Sequence, residues 1–238
     1  MSQGEPRAPA WLVLPTYNEA GNLEAIVRSA LANMPGGASV LVVDDNSPDG
    51  TGDIAERLGE ELPIEVLHRQ GKEGLASAYI AGFRHALERG AGLVLQMDAD
   101  FSHDPTDLRR LVDASESADL VLGSRYVEGG GVRDWSIVRR AISRGGSAYA
   151  RIVLGIGVRD LTGGFKCFRR EVLEGIDLEQ IASQGYGFQV EMTYRALEKG
   201  FKVVEIPIVF KDRQVGSSKM SRAIVLEAAW RVPLLRFR

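Results

Sequence analysis

The stretch LVLQMDADFSH, residues 93–103, decides how the whole chain is read. A short apolar run with the length of a buried strand ends in two carboxylates, Asp98 and Asp100, separated by one small residue. Like charges that close raise at least one pKa unless a cation joins them. The stretch therefore predicts a strand whose carboxyl end, at Asp98 and Asp100, holds a divalent metal.

Outward from this strand, the first two thirds of the sequence alternate apolar runs with helix-like stretches, the pattern of a mostly parallel sheet covered by helices. WLVLP (11–15), SVLVVDD (39–45), IEVLHR (64–69), LVLQMD (93–98) and DLVLGSR (119–125) read as strands. Residues 19–34, 51–61, 73–89 and 105–115 read as helices, with Thr51 and the Asp104-Pro105 pair as starts. Each crossover is long enough for a right-handed βαβ unit. Beyond Arg125 the pattern changes: GGGVRDW (129–135) reads as a mobile loop, residues 136–154 as a basic, partly apolar segment, and FKVVEIPIVF (201–210) as a later strand.

Pro15 to Glu19, Asp44 to Asp49 and Asp98 to Asp100 all follow the carboxyl ends of strands, the edge along which open α/β sheets bind ligands. Any one of these clusters alone is equally well explained as a solvated loop; their conjunction is not. In PTYNE, Tyr17 offers a ring for a base to stack on and Glu19 an acceptor for a base or ribose. In DDNSPDG, Asp45 can hold a base or ribose while Asn46 to Gly50 make the turn. GKEG (71–74) lacks the spacing of a phosphate loop and reads as the start of a helix, with Lys72 near the nucleotide.

Composition narrows the class. The chain has 238 residues, 45% hydrophobic and 26% charged, which argues against disorder and against a disulfide scaffold. A formal charge of -3 predicts no nucleic-acid partner. The single cysteine, Cys167, cannot form an intramolecular disulfide, which fits a reducing compartment. No apolar run of about eighteen residues predicts a membrane span, and MSQGEPRAPA does not read as a signal peptide. The last stretch differs from the acidic whole: from Lys211 to Arg238 there are seven basic residues against two acidic ones. The expected organisation is a flexible tail (1–9), a catalytic domain (10–213) with a basic membrane-facing segment near 133–156, and a basic amphipathic extension (214–238). That extension reads either as a helix packed on the domain or as a surface for anionic lipid headgroups.

PTYNE, VVDDNSPDG, GKEGLASA, MDADFSH and GSRY, in this order and at these spacings, resemble family 2 glycosyltransferases with the GT-A fold. GGGVRDW, LTGGFKCFRR, GYGFQVEM and RQVGSSKM extend the resemblance to polyprenol-phosphate (dolichol-phosphate) mannose synthases, over about Leu12 to Met220. The resemblance implies an α/β Rossmann-like domain closed by membrane-proximal amphipathic helices. The implied reaction moves mannose from GDP-mannose to a polyprenyl phosphate, with inversion at the anomeric carbon. Pro15, Tyr17, Glu19, Val43 and Asp45 are then expected to hold the guanosine, and Asp98, Ala99 and Asp100 to meet the ribose-diphosphate and Mg2+ or Mn2+. Ser102 stands where some members carry a metal-binding glutamine.

Arg125, Arg139, Arg213 and Lys219 fall where the resembling enzymes grip phosphates, and guanidinium forks match phosphate oxygens. Arg125, Arg213 and Lys219 are expected on the donor, and Arg125, Arg139 and Lys219 on the acceptor phosphate, with Arg140 and Arg144 as rivals to Arg139. His103 is expected to structure its turn, and Glu191 to support the acceptor side or the fold without acting as a base. The expected place of work is the cytoplasmic face of a membrane, reached peripherally or through a separate or fused membrane-anchoring partner. The competing readings are transfer of glucose or another sugar, a nonenzymatic sugar-nucleotide-binding subunit, and a nucleotidyltransferase, which the missing glycine-rich loop after the first strand disfavours.

Overall fold

A computed structural model describes residues 9–181, 183–212 and 232–236. The parallel half is built from β1 (Ala10–Thr16), α1 (Leu23–Asn33), β2 (Ser39–Asp44), α2 (Thr51–Gly59), β3 (Ile64–His68), α3 (Leu75–Glu88) and β4 (Leu93–Gln96). Within these strands neighbouring residues face opposite sides. Val13, Leu41, Val43 and Val94 join Tyr79 and Phe83 in one apolar cluster. Leu12, Leu14, Val40, Val42 and Leu95 join Leu23, Ile26 and Leu108 in another. A sheet buried on both faces requires the near-continuous apolar strands the sequence shows. Helix α3 lies so close to the sheet that a methyl at Gly82 would come within 2.4 Å of Val13 Cγ1, so only glycine fits there.

After a 3-10 turn (Pro105–Asp107) and α4 (Leu108–Ala114), the chain continues through β5 (Leu120–Ser124), β6 (Gly131–Val132), α5 (Ile137–Leu154) and β7 (Lys166–Arg169). It then forms α6 (Arg170–Gly175), α7 (Gly185–Glu198), β8 (Val203–Pro207) and β9 (Val209–Phe210). The seven-stranded sheet has the order β3-β2-β1-β4-β7-β5-β8, and β6 pairs with β9 in a separate ribbon. Every pairing in the large sheet is parallel except those of β7, which runs antiparallel between β4 and β5.

The five expected strands and four expected helices are all present. Three features differ. KCFR forms β7, too short and too polar to show a period in the sequence. The expected loop at 129–135 contains β6, and Trp135 beside it is buried. FKVVEIPIVF is two strands, β8 and β9, in different sheets. Residues 136–154 form α5, started by the Ser136 side chain, which accepts from Arg139 N. Of the C-terminal extension, Val232 and Leu235 are buried in the α3 and α7 core cluster, and Arg236 Nη1 donates to Val153 O at 3.0 Å. That end is packed on the domain.

Candidate active site

The loops after β1 and β2 are stapled together. Asn18 N donates to Ser47 Oγ (3.1 Å), Glu19 N to Thr51 Oγ1 (3.0 Å) and Ala20 N to Asp49 Oδ2 (3.1 Å). Asp44 closes its own turn by accepting from Ser47 N and Oγ and from Thr16 Oγ1. Asn18 and Asn46 adopt φ of 60° and 57°, a region asparagine tolerates. This frame holds Tyr17, Glu19 and Asp45 on one rim. Lys72 Nζ lies 3.9 Å from the Tyr17 ring centroid, and Glu19 accepts from Asn22 Nδ2 at 3.0 Å. Asp45 is paired with Arg69, which also reaches Glu73. Burial raises the Asp45 pKa against the pull of Arg69. Pro15 is half-buried at the strand end, whereas the Val43 side chain is wholly in the core, so Val43 meets the rim only through its backbone.

Beyond β4, Tyr79 Oη donates to Asp98 Oδ1 at 2.9 Å. Tyr79 is fully buried; burial and the Asp98 charge raise its pKa well above the ordinary value, so it stays a donor. Asp100 Oδ1 accepts from Ser102 N at 3.0 Å. Phe101 between them has φ of 58°, a left-handed conformation that costs a bulky residue about 1–3 kcal/mol and marks a turn held for a purpose. Ala99 is buried and adds no polar group. Ser102 Oγ is buried without a hydrogen-bond partner among the described residues. His103 is packed against Phe165 and Phe210, and burial lowers its pKa despite Asp98 and Asp100; its Nδ1 is buried without a hydrogen-bond partner among the described residues.

Two carboxylates and an unpartnered hydroxyl are hard oxygen donors, the set that suits Mg2+ or Mn2+. Among the described residues no group of three or more His, Cys, Asp or Glu could hold a metal, so two carboxylates and a hydroxyl would leave part of a six-oxygen shell to be filled from outside the protein.

On the far side of the sheet the arginines are already engaged. Arg125 is 4% exposed, and its fork meets Asp160 through Nε to Oδ2 and Nη2 to Oδ1, each at 2.7 Å. Arg125 N also donates to Asp160 Oδ2, and Nη2 to Thr162 Oγ1. Burial opposes both charges, yet the pairing outweighs it: the Asp160 carboxyl lies below the ordinary range and the Arg125 guanidinium above its own. The fork expected on a phosphate is thus turned to Asp160, a partner the sequence reading missed. Arg139 lies over Trp135, 4.2 Å from the ring centroid, and its Nη1 donates to Asp212 Oδ1 at 2.6 Å. Its Nε is buried without a hydrogen-bond partner among the described residues. Arg213 and Lys219 lie outside the described residues. Glu191 is fully buried; Oε1 accepts from Arg195 and Oε2 from Ser183 N.

Comparison with known proteins places this geometry. A model described as glycosyl transferase family 2 matches residues 11–177. A polyprenol monophosphomannose synthase of Mycolicibacterium smegmatis is 47% identical over 230 residues, covering 95% of this chain and 86% of the relative. An undecaprenyl-phosphate mannosyltransferase of Micrococcus luteus is 50% identical over 217 residues, covering 91% and 89%. At the level of fold, the chain is similar to a glucosyl-3-phosphoglycerate synthase of Mycobacterium tuberculosis solved with Mn2+, UDP-glucose and phosphoglyceric acid. The TM-score is 0.72 at 18% identity, covering 97% of this chain and 80% of that one.

Proposed function

The chain belongs to glycosyl transferase family 2, and on that premise we propose that it transfers mannose from GDP-mannose to a polyprenyl phosphate, giving GDP and polyprenyl phosphate β-mannose. The observation that carries this is the position of Asp98 and Asp100, just after β4, between the Tyr17/Glu19/Asp45 rim and the Arg125/Arg139 cluster. That order suits a diphosphate held between a nucleoside and an anionic acceptor. The two mannosyl relatives, each near half identical over most of the chain, support the sugar and the lipid.

A lipid phosphate has a second pKa near 6, so at pH 7 it is already about nine-tenths dianion. Its oxygen attacks the anomeric carbon from the face opposite the diphosphate; the bond to GDP breaks as the new one forms, which inverts the centre. No general base is needed, in keeping with Glu191 being held on both oxygens. Arg139, stacked on Trp135 with Nε making no hydrogen bond among the described residues, holds the acceptor phosphate. Arg125 acts from behind it, fixing the loop of Asp160 and Thr162 and the rings of Trp135 and Phe210. By the resemblance of RQVGSSKM alone, Arg213 and Lys219 are assigned to the same phosphates. Bound by Asp98, Asp100 and Ser102, Mg2+ or Mn2+ would neutralise the charge growing on GDP.

The acceptor is a lipid, and α5 suits a membrane surface. It carries Arg139, Arg140, Arg144 and Arg151 and no acidic residue, while Ile137 is 84% and Ile152 73% exposed. Among the described residues no helix is long and apolar enough to cross a membrane. An amphipathic helix lying in the headgroup plane fits both facts. The test of the reaction is to incubate the purified chain with polyprenyl phosphate and a panel of radiolabelled sugar nucleotides, then extract the lipid. Label from GDP-mannose alone is expected; label from another sugar nucleotide in its place, or none, contradicts the proposal.

A further inference from the structure

Beneath the carboxylate pair lies a polar cluster that the reaction as described does not use. Gln96 ends β4, and its cross-strand partner on β7 is Lys166. Both are fully buried. Lys166 Nζ donates to Gln189 O (2.8 Å) and Thr193 Oγ1 (3.0 Å), which ties the start of α7 to the sheet. Gln189 is 3% exposed. Three amide atoms here, Gln189 Oε1, Gln96 Oε1 and Gln96 Nε2, are buried and make no hydrogen bond of good geometry among the described residues, although the Gln96 amide is near enough to the Tyr79 hydroxyl to pull its pKa down against the larger effect of burial; Gln189 Oε1 is the plainest case. Leaving such groups unmet is costly, and native proteins seldom do so without a ligand or water in mind.

The amides converge on one spot. A methyl built on Gly164 would stand 3.4 Å from Gln189 Nε2, 3.7 Å from Gln96 Nε2 and 3.9 Å from Asp98 Oδ2. Gly164 and Asp98 are themselves only half-buried, at the end of the sheet where the carboxylates lie. Its place in the strand order matters. Nucleoside groups follow β2 and β1, the diphosphate carboxylates follow β4, and Gly164 precedes β7, the next strand over, with Arg125 after β5 beyond it. A sugar diphosphate laid along this edge puts its hexose at Gly164, between the diphosphate and the acceptor arginines.

We propose that Gln96 and Gln189, with the gap left by Gly164, form the pocket that reads the hydroxyl groups of the transferred hexose. Each primary amide presents a donor and an acceptor in either orientation, which is what a sugar hydroxyl needs. A site built to pair hydroxyls rejects a sugar that leaves its amides unmet. This rests on the reading of the chain as a sugar-nucleotide transferase and names the residues that choose the sugar.

The test compares Mg2+-GDP with Mg2+-GDP-mannose by calorimetry on the full chain, for wild type, Gln189→Ala and Gly164→Ala. The second variant guards against misfolding, because its methyl meets its neighbours at ordinary contact distances. In both variants affinity for GDP is expected to stay within about twofold while affinity for GDP-mannose falls about tenfold, the size of one or two lost hydrogen bonds. In transfer assays both should narrow the preference for GDP-mannose over GDP-glucose. Unchanged GDP-mannose affinity and preference in both variants would overturn the proposal, leaving the amides to internal water. If wild type instead used another sugar nucleotide, the donor assignment would fall, and the same pair of measurements with that donor and its nucleoside diphosphate would still decide the role of the amides.

Discussion

The two ends of the ligand-binding edge are held by different forces. At the β1 and β2 end, backbone amides and short side chains lock one loop to the other, and the groups offered to a ligand are a ring, an amide edge and carboxylates. At the β5 and α5 end, two arginines are matched to acids: Arg125 to Asp160 in the interior, Arg139 to Asp212 nearer the surface. A nucleoside is flat and neutral and needs a rigid surface, whereas a phosphate needs cations, and a cation removed from water needs an anion until its ligand arrives. The difference between the two ion pairs then separates their roles. The Arg125 pair is buried and geometrically complete, which suits a structural role; Arg139 keeps a buried Nε with no hydrogen bond among the described residues, which suits the acceptor role proposed for it.

Substitutions can break this contrast, starting with the strand between the two ends. Asp98→Asn or Asp100→Ala is expected to lower transfer about a thousandfold or more, because the contribution of a bound cation is several kcal/mol and each 1.36 kcal/mol is tenfold in rate. Retention of a tenth of wild-type transfer would remove the carboxylate pair from the mechanism.

Asp160→Asn comes next. It leaves the Arg125 guanidinium buried without a counter-charge and should cost about 3–5 kcal/mol in a denaturant titration. The pH dependence has a definite sign. The folded-state pKa of Asp160 is depressed, so its contribution is complete above the unfolded value of about 3.9 and is lost as pH falls through the lower folded one. The stability gap between wild type and Asp160→Asn should therefore shrink below about pH 4. A variant as stable as wild type at pH 7 would show that Arg125 is not architecture.

Glu191→Gln tests the same distinction on α7. Transfer is expected to stay within about a hundredfold of wild type, the low end of what losing a general base costs. A folded Glu191→Gln protein that binds both substrates and transfers nothing would make Glu191 the base. The smallest effect is expected at the acceptor end: Arg139→Ala should raise KM for polyprenyl phosphate about tenfold, the order of one charge-assisted hydrogen bond, and leave GDP affinity unchanged. A matching loss of GDP affinity would move Arg139 to the donor.

The parallel half was legible in the sequence because each βα unit is local: an apolar run long enough to be a strand, then a polar turn where the ligand sits. Tyr17, Glu19, Asp98 and Asp100 needed no tertiary information to be singled out. The antiparallel β7 was not legible, since four residues including a buried lysine carry no period; LTGGFKCFRR stood out only by resemblance, and the closeness of Gly164 to Gln96, Gln189 and Asp98 was not visible in it. Arg125 shows a second limit. A sequence displays a charge but not its partner, and Asp160 lies 35 positions away. Tyr79 was hidden in the same way, an aromatic on an apolar helix whose hydroxyl turns out to face Asp98.

The most direct measurement of the whole account is transfer of label from GDP-mannose to polyprenyl phosphate by the purified chain, followed through addition of EDTA and then of excess Mg2+ or Mn2+. The account predicts transfer that stops on chelation and returns with the metal, the label recovered in the lipid as a β-linked phosphomannose. Undiminished transfer in EDTA, or an α-linked product, would contradict it.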